Sequence, residues 1–251
     1  MDNAIVTLRN VSMSYHTLRE ETLAIDNISF DVYDKEFLTI LGPSGCGKST
    51  ILSLIYGLIS PSKGEIRISS KIENPKDQLV AYMLQHDHLF NWRTIEQNVL
   101  LGLEIKKNVT NEAREYVTNL LNTYGLGKFL NHYPHQLSGG MKQKAALIRT
   151  LAVNPKILLL DEPFSALDYQ TRIILSEEIK EIIHNEKKVA ILVTHDISEA
   201  ISLSDRIIIL SNRPSKIKKI ININFKDTDI TNRRSHPKFQ EYFEIIWQEL
   251  Q

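Results

Sequence analysis

Cysteine is nearly missing from this chain: Cys46 is the single thiol in 251 residues. One cysteine excludes an intramolecular disulfide, and nothing then argues for an oxidising compartment. Net charge is missing too. Lys plus Arg and Asp plus Glu each total 30, so composition gives no reason to expect nucleic acid or lipid as a partner, a local basic patch aside. Long apolar runs are also lacking. The longest uncharged stretch, residues 49–62, ends in Ser-Pro-Ser and falls short of the roughly 20 mostly apolar residues that a membrane span needs. Met1-Asp2-Asn3-Ala4 has no charged region leading into an apolar one, so no targeting segment is read there. No internal repeat or low-complexity tract is visible. The expectation is a soluble cytoplasmic protein whose membrane role, if it has one, comes through a partner.

The composition, with 42% hydrophobic and 24% charged residues, is ordinary for a globular protein. The length allows one sizeable core with a smaller subdomain, or two modest domains. Val6-Thr7-Leu8-Arg9 and Ile28-Ser29-Phe30-Asp31-Val32 alternate apolar with polar, as half-buried antiparallel strands do. Residues 37–41, 157–160, 189–193 and 207–210 are instead nearly all apolar, as expected for strands covered on both faces. Helical patterns lie between them, for example over 171–183. The alternation predicts an α/β fold with a mostly parallel sheet.

Residues 91–144 read as helical, most clearly over 112–121, and form a helical subdomain inserted into an α/β core of 1–90 and 145–220. Residues 221–251 form a C-terminal helical cap. Its stretch 239–250 has an amphipathic pattern; packing on the core is the first reading, a partner-binding helix the second.

Gly42-Pro43-Ser44-Gly45-Cys46-Gly47-Lys48-Ser49-Thr50 fits G-x-x-x-x-G-K-[ST], directly after an apolar strand and before a helix-compatible stretch over 51–59. Glycines let successive N–H groups turn inward toward phosphate oxygens, and the helix N-terminus adds partial positive charge. Lys48 suits the β/γ-phosphates of a nucleotide, and the Ser49 hydroxyl suits Mg²⁺. Cys46 reads as a loop filler rather than a nucleophile, though alkylation there would disturb nucleotide binding.

Asp161 and Glu162 stand at the carboxyl end of a buried strand, where open α/β sheets bind ligands. Asp161 is placed to hold Mg²⁺, and Glu162 to orient or deprotonate an attacking water. His195, after another strand, is a candidate γ-phosphate contact as well as a candidate structural histidine. The basic stretch 213–219 reads as solvated surface and is assigned no function.

Leu137-Ser138-Gly139-Gly140-Met141-Lys142-Gln143, together with Gln85, joins these pieces. With Tyr15, the phosphate loop, Gln85, this motif, 158–163, Ser165-Ala166-Leu167-Asp168 and His195 in order, the chain resembles the ATP-binding-cassette family along nearly its whole length. The resemblance implies a P-loop NTPase core with an N-terminal antiparallel β subdomain. It implies ATP with Mg²⁺ held by Ser49, Gln85 and Asp161, catalysis by Glu162, His195, Gln85 and Lys48, and adenine stacked on Tyr15. It further implies a head-to-tail homodimer in which Ser138, Gly139 and Gly140 grip the ATP of the other subunit and Asp168 aligns the halves. Asp34-Lys35-Glu36 departs from the family by lacking a glycine before the glutamate, and Lys142 and Lys144 stand where arginines are common.

Residues 89–99, with Trp92-Arg93-Thr94, resemble the nitrate, sulfonate, taurine and thiamine-precursor importer branch, with Asn91 in place of a proline. That branch implies an ATPase at the cytoplasmic face of the membrane, a separate permease, and indirectly a solute-binding protein. A non-transport cassette ATPase and an exporter ATPase are the alternatives.

Overall fold

The alternating residues near the start form two antiparallel strands, β1 (Ala4–His16) and β2 (Glu21–Tyr33), in a computed structural model that describes residues 4–16, 21–68, 79–225 and 230–251. Leu8 pairs with Phe30 and Val6 with Val32, all four buried. On the other face the Thr7 hydroxyl donates to Asp31 at 2.8 Å. Both strands outrun their alternating stretches. The pattern fails where the register shifts between Leu8 and Val11, near Asn10 and Asn27, whose backbones take positive φ. A bulge moves later side chains to the opposite face, which hides a strand from a period-two reading.

β3 (Phe37–Leu41) follows, then α1 (Lys48–Tyr56), and β4 (Lys63–Ile68), which pairs with β1. β5 (Val80–Met83), α2 (Ile95–Ile105), α3 (Asn111–Thr123), α4 (Gly139–Leu151), β6 (Ile157–Asp161) and α5 (Tyr169–Asn185) come next. The chain continues with β7 (Val189–Thr194), α6 (Ile197–Leu203), β8 (Arg206–Leu210), β9 (Ile217–Asn222) and α7 (Pro237–Leu250). α1 ends three residues before the 51–59 stretch does, because Gly57 takes φ 84 and returns its N–H to Ser53 and Leu54, a left-handed stop. No helix among the described residues is long and apolar enough to cross a membrane.

These elements gather into two compact units, Met1–Lys71 with Lys187–Gln251, and Ile72–Glu186. The first holds the antiparallel sheet β2-β1-β4 and the strand order β7-β3-β8-β9. β3 runs parallel to both β7 and β8, while β9 is antiparallel to β8. Every residue of β3 and β7 is buried, and each buried Leu or Ile contributes about 1.5–3 kcal/mol. The lysine-rich stretch at 216–219 runs into β9, and Lys218 and Lys219 stay exposed. Exposed lysines keep such an edge from pairing with another chain. Leu41, Ile201 of α6, Ile209 and Phe225 cluster with Ile246 of α7. The C-terminal helix is therefore packed on this unit's core, its first expected role.

Lys35 takes φ 59 in the turn before β3, so a lysine adopts the conformation that a glycine would reach more easily. Glu36 then accepts from the Tyr33 N–H at 2.8 Å and from Arg206 at 2.7 Å.

In the second unit β5 and β6 pair in parallel. Between them, residues 84–156 contain helices and turns and no strand. The unit takes in more than 91–144, since β5, β6 and α5 belong to it. α4 also runs past residue 144 because its buried face continues through Ala145, Ala146, Leu147, Ile148 and Leu151.

Candidate functional site

The candidate residues fall into two sets, one in each unit. In the first, β3 ends at Leu41, which pairs with Thr194 at the end of β7. The two strands stop level, so Gly42 and His195 leave the same edge. The phosphate loop starts there. A Cβ on Gly42 would come within 2.9 Å of the Cys46 sulfur and 3.2 Å of Leu210 Cβ, so the closure tolerates no side chain. Gly45 takes φ +75 and Gly47 φ +109. α1 then begins at Lys48, with the Ile51 N–H bonding back to the Gly47 carbonyl at 3.1 Å. A curled loop opening a helix is an anion cradle.

Lys48 is buried, and its ammonium donates to the carbonyls of Gly42 and Pro43, both at 2.9 Å. These contacts aim the cation across the mouth of the loop. Ser49 at the helix start is exposed. Cys46 is 1% exposed, and burial pushes its thiol up. The thiolate is disfavoured, in keeping with a filler of the loop interior. Tyr15, near the end of β1, reaches the same loop: its hydroxyl and that of Thr50 lie 3.1 Å apart, while much of the ring stays exposed.

The residues on either side of His195 are held in place. Thr194 donates its hydroxyl to the buried Glu199 at 2.7 Å and accepts from the Asp196 N–H at 3.1 Å. Asp196 caps α6 by accepting from the Glu199 N–H at 3.0 Å.

The second unit gathers the remaining candidates. Asp161 ends β6 and accepts from the Tyr82 hydroxyl of β5 at 2.8 Å. Glu162 follows with φ 43, a left-handed backbone uncommon for a residue with a side chain. Its carbonyl accepts from the Ser165 hydroxyl at 2.9 Å and N–H at 3.2 Å. Gln85, exposed just beyond β5, donates to Ser165 Oγ at 3.2 Å. The acidic pair and Gln85 are thus joined by short polar links through Tyr82 and Ser165.

Ser138 caps α4, accepting from the Met141 N–H at 3.4 Å. Ser138 and Gly139 are exposed, so the start of this helix is open to a ligand. Side chains lie close behind both glycines, more tightly at Gly140 than at Gly139. A Cβ would come 3.2 Å from Leu167 at Gly139 and 2.9 Å from Thr171 at Gly140. The same neighbouring loop carries Asp168, which caps α5 through the Thr171 N–H at 3.0 Å; that bond holds its carboxyl below the usual range.

Hydroxyl, amide and carboxylate oxygens from Ser49, Gln85 and Asp161 are hard donors suited to Mg²⁺. No cluster of three His, Cys, Asp or Glu capable of holding a metal occurs among the described residues.

A family profile described as ABC transporter matches residues 25–165. An ABC transporter ATP-binding protein of Bacillus subtilis, YtlC, is 46% identical over 96% of this chain and 94% of its own length. The chain belongs to the ABC transporter family. The aliphatic sulfonates import ATP-binding protein SsuB of Bacillus cereus is 37% identical over 98% of this cassette and 96% of its own length. The ATP-binding cassette MJ0796, in a dimeric post-hydrolysis state with ADP and phosphate, superposes with a TM-score of 0.73 at 32% identity. That likeness covers 88% of this chain and 99% of the other. This ABC cassette is therefore an ATP-binding and ATP-hydrolysing subunit, with the P-loop NTPase fold.

Several residues of the cassette escaped the sequence reading. Arg149 of α4 donates to the carbonyls of Asp87 and His88 at 2.6 and 2.8 Å, just past Gln85. Asn98 of α2 is buried; its amide donates to the carbonyls of Phe90, Arg93 and Thr94 and accepts from the Phe90 N–H. Together they fix the 87–94 loop that displays Trp92, which is 73% exposed and stacked on Phe90. An amide inside an apolar helix face was the available sign for Asn98. Arg149 and Tyr82 carried none.

Proposed function

We propose that this cassette powers import of a small solute, of the nitrate, sulfonate, taurine or thiamine-precursor class, through a separate integral-membrane permease. The observation that carries the reading is the convergence of Tyr15, the phosphate loop, Lys48 and the level-ending His195 strand within one unit. The importer branch draws support from Trp92-Arg93-Thr94 and from the likeness to a sulfonate import protein.

Tyr15 stacks on adenine, residues 42–50 wrap the phosphates, and Lys48 neutralises them. Ser49, Gln85 and Asp161 would hold Mg²⁺, which would supply positive charge to the phosphates. Glu162 orients the attacking water and takes its proton, and His195 contacts the γ-phosphate. Two copies pair head to tail, each lending Ser138, Gly139 and Gly140 to the ATP of the other, with Asp168 aligning them. The dimeric state of MJ0796 supports this pairing. Residues 91–144 act as a helical subdomain between core segments 1–90 and 145–220, with 221–251 as a cap. The subunit sits at the cytoplasmic face of the membrane, and a solute-binding protein delivers substrate to the permease.

The test is uptake by a strain lacking this chain, using labelled nitrate, an alkanesulfonate, taurine and a thiamine-precursor pyrimidine. Loss of uptake of one solute, restored by the wild-type chain, is expected. Unchanged uptake of all four with lost efflux of any would reverse the direction of transport.

A further inference from the structure

The turn between β8 and β9 carries the basic residues left without a role. It is fastened to β2 beside the phosphate loop. Ser215 is fully buried; its N–H and hydroxyl both donate to the Ala24 carbonyl, at 3.0 and 3.1 Å, and its own carbonyl accepts from the Asp26 N–H at 3.0 Å. Lys216 adds an ion pair to Asp26 at 3.0 Å. The Ser215 hydroxyl also lies 3.3 Å from where a Cβ of Gly47 would stand. From this fastened turn the Arg213 guanidinium reaches Gly45 and donates to its carbonyl at 2.9 Å.

Gly45 is the exposed apex of the loop. A side chain there would meet nothing within 4 Å, so packing does not hold its left-handed backbone. A loop that turns N–H groups inward to phosphate must turn carbonyls outward. An outward carbonyl held by a charged donor is fixed more firmly than one left to water. We propose that Arg213 is a positioning residue of the phosphate loop, locking the Gly45 carbonyl outward so that the loop is ready for a triphosphate before one arrives. This rests on the reading of the loop as the ATP site. It assigns work to a residue 168 positions away in sequence.

Cys46, the only thiol in the chain and buried inside this loop, reports its opening. N-ethylmaleimide labelling of the full chain, without nucleotide and under native conditions, is compared in wild type, Arg213→Ala, Arg213→Lys and Lys216→Ala. Arg213→Ala is expected to label about fivefold faster and to raise KM for ATP about tenfold, with kcat within about twofold, the size of a lost charge-assisted hydrogen bond. Arg213→Lys should recover part of both effects. Lys216→Ala, which weakens the same turn but keeps Arg213, should behave as wild type. Wild-type labelling and KM in Arg213→Ala would overturn the proposal, as would Lys216→Ala matching Arg213→Ala. Protection of wild-type Cys46 by ATP tests the underlying reading separately: its failure would remove the ATP site, while the nucleotide-free comparison still judges the Arg213 contact.

Discussion

Gln143 of α4 donates its side-chain amide to the main-chain carbonyl of Gln85, 3.2 Å away and 58 residues earlier in the chain. The Gln85 side chain passes the link on to Ser165, which bonds to the Glu162 carbonyl. The helix opened by Ser138 is thereby tied to the residues assigned to Mg²⁺ and water. The Gln143 carbonyl oxygen is buried and has no partner among the described residues. Its amide nitrogen carries the useful bond.

Gln143→Leu keeps the volume and removes that bond. It should cost about 1 kcal/mol in urea unfolding, the usual net worth of one hydrogen bond. ATP turnover should fall by about tenfold or more, because a displaced Gln85 raises the barrier as well. Unfolding midpoints and steady-state phosphate release, measured on the same preparations, check both. Turnover at the wild-type level would show that Gln85 holds its position unaided.

Glu162→Gln preserves shape and the left-handed backbone while removing the proposed base. Hydrolysis should drop about 10²–10⁴-fold, with unfolding behaviour unchanged. Light scattering with Mg²⁺ and ATP should then show an accumulated dimer. A monomer at high protein concentration would count against the shared site.

Gly64→Ala probes the fold away from the site. The position has φ +82, and a Cβ would collide with the main-chain oxygens of Arg9 and Asn10. Strain and overlap together should cost about 2–4 kcal/mol. Denaturant titration measures it; a loss below 1 kcal/mol, on the order of a surface change, would mean that β1 yields there.

Alkaline pH should weaken the second unit through two tyrosines. Tyr124 donates to Glu186 at 2.7 Å. Burial first, and then Glu186, push Tyr116 up to about 12 and raise Tyr124 as well. A folded pKa above the unfolded value of 10.0 means that the unfolded chain loses its proton first. The stabilisation is complete below pH 10 and is lost as pH rises toward about 12. The double variant Tyr116→Phe, Tyr124→Phe should show a shallower decline in stability over that range. Ultraviolet titration of wild type should find two tyrosines ionising late.

The readable parts of the cassette were those whose chemistry is contiguous. The phosphate loop needs glycines, a lysine and a hydroxyl in adjacent positions, because one backbone curl presents them all. The apolar runs of β3, β6, β7 and β8 were readable because burial on both faces leaves few polar positions. β4 was not. Lys63, Gly64, Glu65 and Arg67 mask it, since it is mostly exposed and held by pairing to β1. β1 was recognised only in part, because its bulges break the period that a strand reading relies on.

The order of residues along the chain was enough to establish an α/β ATPase of the ABC family and to mark its candidate phosphate loop and acidic strand end. Backbone dihedrals and near-neighbour chemistry dictate these, and both are written locally. Folding was needed to bring Tyr15 to Thr50, Gln143 to Gln85 and Arg213 to Gly45. Such contacts follow from where strands and helices pack in space. No spacing or composition rule marks two residues that meet only after the chain has closed a loop of tens to more than a hundred positions.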